Sequence, residues 1–100
     1  MSPVSLDFHP RAVAEARAAW RWYARRSPAT AARFLSQLDH AMAQIAAGPQ
    51  QWPAYLRGTR MYRLARFPYL VVYRELPGII QVIAVAHTSR RPGYWQRRVP

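Results

Sequence analysis

The hydrophobic period changes once along the chain, and that change restricts the possible folds more than any other feature of the sequence. Between residues 9 and 48 the apolar residues recur at helical spacing, whereas from residue 60 onward they alternate as in half-buried strands. The loop between these two halves contains two prolines and two glycines and reads GPQQWPAYLRGT. Helical and strand patterns in separate halves of the chain predict an α+β fold.

A short strand and two helices are predicted before this loop. The residues VSLDF alternate apolar and polar side chains, which is typical of a half-buried strand. Pro10 suits the first position of one helix, and Ser27 and Pro28 suit the N-cap and first position of the next. Gly48 ends the second helix. Because only a very short turn separates the helices, we expect them to form an antiparallel hairpin.

Three segments after the loop are rich in β-branched and aromatic residues and are predicted to be successive strands. They read RMYRLAR, FPYLVVYRE and IIQVIAVAH. Pro77 and Gly78 suit a tight turn between the last two strands. The predicted architecture is a strand, an antiparallel helical hairpin and a three-stranded antiparallel meander, with the helices on one sheet face. A chain of 100 residues favours a single domain over residues 1–100, whose other sheet face is left for solvent or a partner.

The apolar stripes of the two helices predict the core. Four large side chains share the helical spacing and are expected between the hairpin and the sheet: Trp20, Phe34, Leu38 and Ile45. Their expected neighbours belong to the first strand: Val4, Leu6 or Phe8. Trp22 falls nearly opposite the stripe of the first helix, so it is predicted to be either an ordinary surface residue or an anchor for a partner.

The charge of the chain indicates an acidic partner. Fifteen basic residues, all of them arginine, face four acidic residues, and the net charge is +11. A domain this basic generally binds nucleic acid or a strongly acidic protein. No segment approaches the ~20 apolar residues of a membrane span, and the first residues lack the pattern of a signal peptide. We therefore expect a cytoplasmic protein that does not contact a membrane.

The segment AHTSRRPGYW, residues 86–95, carries the residues best suited to chemistry. Cleavage of RNA by its 2′-hydroxyl needs a proton acceptor, a proton donor and positive charge on the phosphate. His87 and Tyr94 could move protons, and Arg90 and Arg91 could hold the phosphate. The alternative interpretation is structural: a solvated basic face and a hydrogen-bonded histidine. Neither interpretation requires a cofactor or a metal, and the dispersed histidines do not have the spacing of metal ligands.

The geometry of this segment can also be predicted. Pro92 forbids a further central strand, so the last strand should end near His87. The chain should then cross the open sheet face, with a turn at Pro92–Gly93 that folds Tyr94 and Trp95 back. The expected result is one electropositive patch formed by His87, Arg90, Arg91 and Tyr94 beside Arg60 or Arg63.

From about Leu6 to Arg98 the chain resembles the RelE/ParE superfamily, the toxins of bacterial type II toxin–antitoxin modules. The segments that carry the resemblance are WRWYARRSPATAARFLSQLDHAMAQI, GPQQWP, RLARFPYLVVYRE and VIAVAHTSRRPGYWQRR. Each segment alone is common, and it is their combination that is specific. The resemblance implies the strand–helix–helix–three-strand fold and a cognate acidic antitoxin. We expect the antitoxin to contact Trp22, Arg17 and Arg21.

The superfamily divides by target. RelE-like members cut messenger RNA on the ribosome with basic residues and a C-terminal tyrosine, whereas ParE-like members inhibit DNA gyrase without a nuclease set. Tyr94 and Arg90 match the RelE-like residues, so that in a nuclease His87, Arg90 and Tyr94 would be catalytic. Leu70 and Thr88, however, stand where that branch has arginines. The resemblance therefore favours a ParE-like gyrase inhibitor, with a RelE-like ribosome-dependent endoribonuclease as the alternative. In either case Arg60, Arg63, Arg90 and Arg91 are predicted to bind the target or nucleic acid.

Overall fold

A computed structural model describes residues 4–100 and contains two helices packed on one face of a four-stranded mixed sheet. The elements in chain order are β1 (Ser5–Phe8), α1 (Pro10–Arg26), α2 (Pro28–Ala47), β2 (Arg60–Arg63), β3 (Tyr69–Leu76) and β4 (Ile79–His87). This architecture confirms the predicted α+β class. Residues 1–3 of the predicted domain lie outside the described part of the chain. Within residues 4–100, neither helix has the length and apolarity that crossing a bilayer requires.

The sheet has the strand order β1-β4-β3-β2. Strands β2, β3 and β4 form the predicted antiparallel meander, and β1 pairs with β4 in parallel, with Ser5 opposite Ile79 and Phe8 opposite Val82. Since β1 ends at Phe8, the second half of β4 has no neighbouring strand on that side within the described residues. This open edge becomes part of the candidate site.

A β-bulge interrupts the pairing of β3 with β4. Tyr73 pairs with Val82 and Val72 pairs with Ala84, so Ile83 is an extra residue in β4. The extra residue resets the alternation of side chains, and Ile83 and Ala84 both lie in the same core cluster. The bulge therefore decides which side chains at the end of β4 face the helices.

The helices begin where the sequence predicts. The hydroxyl of Ser27 accepts a hydrogen bond from the backbone N–H of Thr30 at 3.2 Å, and Pro28 follows at the first helical position. At the start of α1 the imidazole of His9 accepts from the backbone N–H of Arg11 at 3.1 Å. Ser27 alone separates the two helices, which therefore pack as a tight antiparallel pair.

The prediction of the core is correct for α2 and wrong for Trp20. Phe34 and Ile45 are fully buried against the sheet, and Leu38 is half-buried against the same cluster. Trp20 is 39% exposed, because α1 turns Ala12 and Ala19 toward the sheet instead. The small alanine side chains let α1 approach β4 closely, and this rotation moves Trp20 out of the core. Of the first strand, Leu6 packs against the core, whereas Val4 and Phe8 are exposed.

A second, smaller core covers part of the sheet face opposite the helices. Trp95 is 1% exposed and Val99 is 7% exposed, and both pack on Val72 and on the end of β4. The predicted return of the chain across this face is therefore confirmed for Trp95. Gly93, with a φ of +81°, occupies the left-handed region that lets the chain turn at this point.

Candidate functional site

A cavity of about 200 Å³ lies where β4 ends and is called here the basic cavity. Its lining includes Arg63, Leu70, His87, Thr88, Arg90, Arg91 and Tyr94. The strand register brings these residues together, because Arg63 is opposite Leu70 on β3 and Tyr69 is opposite His87 on β4. The arginines after β4 then approach the one that ends β2.

The three arginines of the basic cavity are free to bind an anion. In the described part of the chain, Arg63, Arg90 and Arg91 form no ion pair and no hydrogen bond through their guanidinium groups. The lining of the cavity contains no carboxylate among residues 4–100. Unpaired guanidinium groups that surround a small concave volume favour phosphate or carboxylate groups.

Arg60, the alternative to Arg63 in the predicted patch, lies elsewhere. Its guanidinium donates a hydrogen bond to the backbone carbonyl of Trp52 at 2.7 Å and lies 3.7 Å from the carboxylate of Glu75. These contacts hold the start of β2 against the preceding loop and against β3. The structure thus brings Arg63 to the cavity and does not bring Arg60 there.

His87 is held by the turn that follows it. Its Nδ1 accepts a hydrogen bond from the backbone N–H of Ser89 at 3.0 Å and lies 2.7 Å from the Ser89 hydroxyl. The ring also meets Tyr69 edge to face, with the ring centroids 5.0 Å apart. Because Nδ1 accepts from a backbone N–H, the neutral imidazole carries its proton on Nε2.

Tyr94 is bound by a carboxylate from α1. Its hydroxyl donates a hydrogen bond to Glu15, and Arg98 grips the same carboxylate through two N–H groups at 2.8 and 3.0 Å. Burial of the phenol and its hydrogen bond to Glu15 raise the pKa of Tyr94 well above its ordinary value. The phenolic proton is therefore held more tightly than in free tyrosine.

The same ion pair also completes the open edge of β4. Glu15 accepts a hydrogen bond from the backbone N–H of Val85 at 3.1 Å, and Arg98 donates to the carbonyl of Ile83 at 3.1 Å. Two side chains thus take the place of a strand beyond the end of β1. Sequence reasoning missed this network, because 83 residues separate its charged members. The only local signal is a lone acid in an arginine-rich helix.

A larger cavity of about 580 Å³ lies beside the basic cavity and is called here the aromatic pocket. The rings of Trp22, Tyr23, Tyr69, His87 and Tyr94 line it, together with Glu15, Ala18, Ala19, Pro68, Val85 and Arg90. His87, Arg90 and Tyr94 belong to both cavities and form their common wall. Arg90 is stacked on Tyr94, with the guanidinium carbon 3.8 Å from the ring centroid.

A third cavity of about 520 Å³ lies on the other side of α1 and is called here the apolar groove. It is lined by Phe8, Ala12, Val13, Ala16, Arg17, Trp20, Arg21, Leu35, Leu38, Met42 and Val85. The structure therefore divides the residues predicted to bind an antitoxin. Arg17 and Arg21 flank the groove, whereas Trp22 lies at the aromatic pocket, and the tryptophan of the groove is Trp20.

Comparison with known proteins identifies the family. Residues 6–92 match the model of a family described as the ParE toxin of the type II toxin–antitoxin system, parDE. The chain belongs to the ParE toxin family. Among solved structures, this ParE family member is similar to a chain from the "Chromosomal ParDE TA system from P. aeruginosa", with a TM-score of 0.74 and 19% identity. The similarity covers 85% of this chain and 96% of that one, and it supports the fold alone. No curated protein matches the sequence.

Membership of the ParE toxin family places the chain in the ParE branch of the superfamily. In this ParE family member, Leu70 and Thr88 line the basic cavity next to Arg63, Arg90 and Arg91. These are the two positions at which the resemblance to RelE-like nucleases implies arginine. The cavity is therefore basic but has an apolar and a hydroxyl side chain in place of two further cations.

Proposed function

We propose that this type II toxin inhibits DNA gyrase by binding it through the basic cavity and that it performs no chemistry of its own. Family membership supports the proposal, since the chain matches the ParE toxin model over residues 6–92. The observation that carries it further is the hydrogen bond between Tyr94 and Glu15.

Nuclease chemistry at this site would require Tyr94 to exchange a proton with the substrate. The phenol instead donates to a carboxylate that is also held by Arg98 and by the backbone of β4. Its raised pKa disfavours loss of the proton, and the bound Glu15 occupies the hydroxyl. A tyrosine in this arrangement fixes the C-terminal segment and leaves the arginines as the groups that contact a target.

Binding is the role that best fits those arginines. Arg63, Arg90 and Arg91 offer unpaired guanidinium groups on a protein of net charge +11. Such a surface speeds association with an acidic target and selects against basic ones. A gyrase surface rich in carboxylates, or its bound DNA, has the complementary charge.

The apolar groove is the proposed seat of the antitoxin. It combines exposed apolar side chains on both helices with two flanking arginines, Arg17 and Arg21. An amphipathic acidic helix would bury apolar side chains against Trp20 and Leu35 while its acids pair with the arginines. Neutralisation of the toxin would then follow from occupation of this face.

Two assays with purified toxin test the proposed target. Supercoiling by DNA gyrase is measured over a range of toxin concentrations, and cleavage of a messenger RNA on ribosomes is measured in parallel. We expect inhibition of supercoiling and an intact message. Cleaved message together with unaffected supercoiling would overturn the proposal.

A pair of double variants tests the basic cavity. Loss of Arg90 and Arg91 to alanine should weaken gyrase inhibition by about tenfold or more, since each arginine contributes a charge-assisted contact. The matched control replaces Arg11 and Arg25, which are exposed on α1, line none of the three named cavities and remove the same charge. Equal losses in both variants would mean that only net charge matters, which contradicts binding through this cavity.

A further inference from the structure

The aromatic pocket and the basic cavity are two compartments with one wall. His87, Arg90 and Tyr94 line both of them. One compartment is bordered by five aromatic rings, and the other by three unpaired arginines. We infer that together they bind one nucleotide of a single-stranded nucleic acid, with the base in the aromatic pocket and a flanking phosphate in the basic cavity. This binding activity is separate from the proposed inhibition of gyrase, and the toxin needs no other protein for it.

The aromatic pocket has the size and walls that a base requires. Its volume of about 580 Å³ lies within the ~300–1,000 Å³ of typical ligand pockets. Trp22 is 49% exposed. The guanidinium carbon of Arg26 lies 3.5 Å from the centroid of its ring and holds the ring in place. Aromatic side chains held in this way stack on the faces of unpaired bases.

The shared wall provides the connection between base and phosphate. The guanidinium of Arg90 lies over the Tyr94 ring and borders both compartments. A stacked arginine keeps its N–H groups at the edge of the plane, where they can bind phosphate oxygens. Tyr94 is itself held by Glu15, which Arg98 also binds, so the ring beneath Arg90 is in place before any ligand arrives.

The composition of the two compartments favours a nucleotide over an acidic peptide. An acidic peptide would satisfy the arginines, but carboxylate side chains offer no planar apolar face to the rings of the aromatic pocket. A base has no negative charge and offers a planar face to the aromatic rings. Double-stranded DNA is excluded from this arrangement because its bases are stacked on each other.

Direct binding of an oligonucleotide to the toxin tests the proposed nucleotide site. The probe is a fluorescein-labelled oligothymidine of about ten nucleotides, within the usual footprint of single-strand binding sites. Its anisotropy is followed as purified toxin is added at several salt concentrations. Trp22→Ala should weaken binding by about 5- to 150-fold, because stacking on one base contributes ~1–3 kcal/mol. Trp20→Ala is the matched control, since it removes the same side chain two residues away in the apolar groove and should leave binding unchanged.

Two further probes separate base recognition from simple attraction of charge. An abasic oligonucleotide of equal length keeps the phosphates, so it should bind more weakly and be indifferent to Trp22→Ala. Polyglutamate should bind more weakly than oligothymidine at equal ionic strength. Equal effects of Trp20→Ala and Trp22→Ala, or equal affinity for oligothymidine and polyglutamate, would overturn the inference.

The salt dependence of binding tests the phosphate contact separately. Arg91→Ala should reduce the slope of log affinity against log salt by about one, because one phosphate contact is lost. An unchanged slope would contradict the binding of a phosphate in the basic cavity. Oligouridine and oligodeoxyuridine, which differ only in the 2′-hydroxyl, distinguish RNA from DNA as the source of the strand in the same assay. Gyrase inhibition is measured separately, so a toxin that inhibits gyrase but ignores every oligonucleotide would contradict this inference alone.

Discussion

The two cavities beside α1 each contain one tryptophan, but their surroundings differ. Trp20 in the apolar groove is surrounded by aliphatic side chains such as Leu35 and Met42. Trp22 lines the aromatic pocket together with four other rings, and this pocket shares a wall with the basic cavity and its three arginines. Two residues on a helix are separated by roughly 200°, so neighbouring tryptophans face different partners. The side chains around an exposed aromatic residue, rather than the residue itself, therefore decide what it can bind.

Loss of Glu15 should have the largest effect, a loss of stability of the whole domain. Glu15→Ala leaves Arg98, the Tyr94 hydroxyl and the Val85 N–H without their partner. Breaking a largely buried ion pair typically costs ~3–5 kcal/mol of unfolding free energy. Urea unfolding measures this loss. Glu75→Ala, at a half-exposed pair, is the control and should cost under ~1 kcal/mol. Similar small losses in both would show that the network contributes little.

Antitoxin binding should depend on Trp20 and not on Trp22, whereas nucleotide binding should depend on Trp22 and not on Trp20. Trp20→Ala should weaken binding of the cognate antitoxin by about 2 kcal/mol or more, because a tryptophan anchor in an apolar groove is removed. Trp22→Ala should change it by less than about 0.5 kcal/mol. Isothermal titration calorimetry with the co-encoded antitoxin gives both values. If Trp22→Ala were the more damaging change, the antitoxin would occupy the aromatic side.

Tyr94→Phe should have a moderate effect on stability and almost none on toxicity. The variant loses the hydrogen bond to Glu15 but keeps the ring that supports Arg90, so about 1.5 kcal/mol of unfolding free energy should be lost. Growth arrest on induction in a bacterial host measures toxicity. Complete loss of toxicity in a variant that remains folded would favour proton transfer by Tyr94 and hence the nuclease alternative.

The last expected effect is absent near neutral pH and appears only in alkali, as a loss of stability. Burial raises the pKa of Tyr73 from 10.0 to about 12, and its hydroxyl donates to the carbonyl of Pro49 at 2.5 Å. The folded state therefore holds this proton more tightly than the unfolded state. The resulting stability is complete below pH 10 and is lost as the pH rises from 10 through 12. Thermal melts across this range should show a shallower decline for Tyr73→Phe than for Tyr62→Phe.

The fold was predictable because its signals are local. Ser27, Pro28 and Gly48 mark the helix ends within a few residues, and alternation marks the strands. The phase of α1 was not predictable in this way. Alanine occurs all round this helix, so its apolar stripe can be drawn through Trp20 or through Ala12 and Ala19. Only close packing against β4 decides between the two.

The candidate site was predictable in part. The residues after β4 form a recognisable basic segment, and the turn at Gly93 follows from its sequence. The choice of Arg63 over Arg60 depends on strand register. The role of Tyr94 depends on Glu15, which is 79 residues away. Neither the strand register nor the contact between Glu15 and Tyr94 leaves a pattern in the local sequence. These long-range pairings could therefore be seen only in the structure.

The open edge of β4 has a consequence for association between toxin molecules. An unpaired strand edge is a template on which another chain can add a strand, and proteins often guard such edges with charge. Here Glu15 and Arg98 occupy the backbone groups of Val85 and Ile83 that an added strand would use. The ion pair that fixes the C-terminal segment therefore also occupies two of the backbone groups to which a strand from a second copy would have to bind.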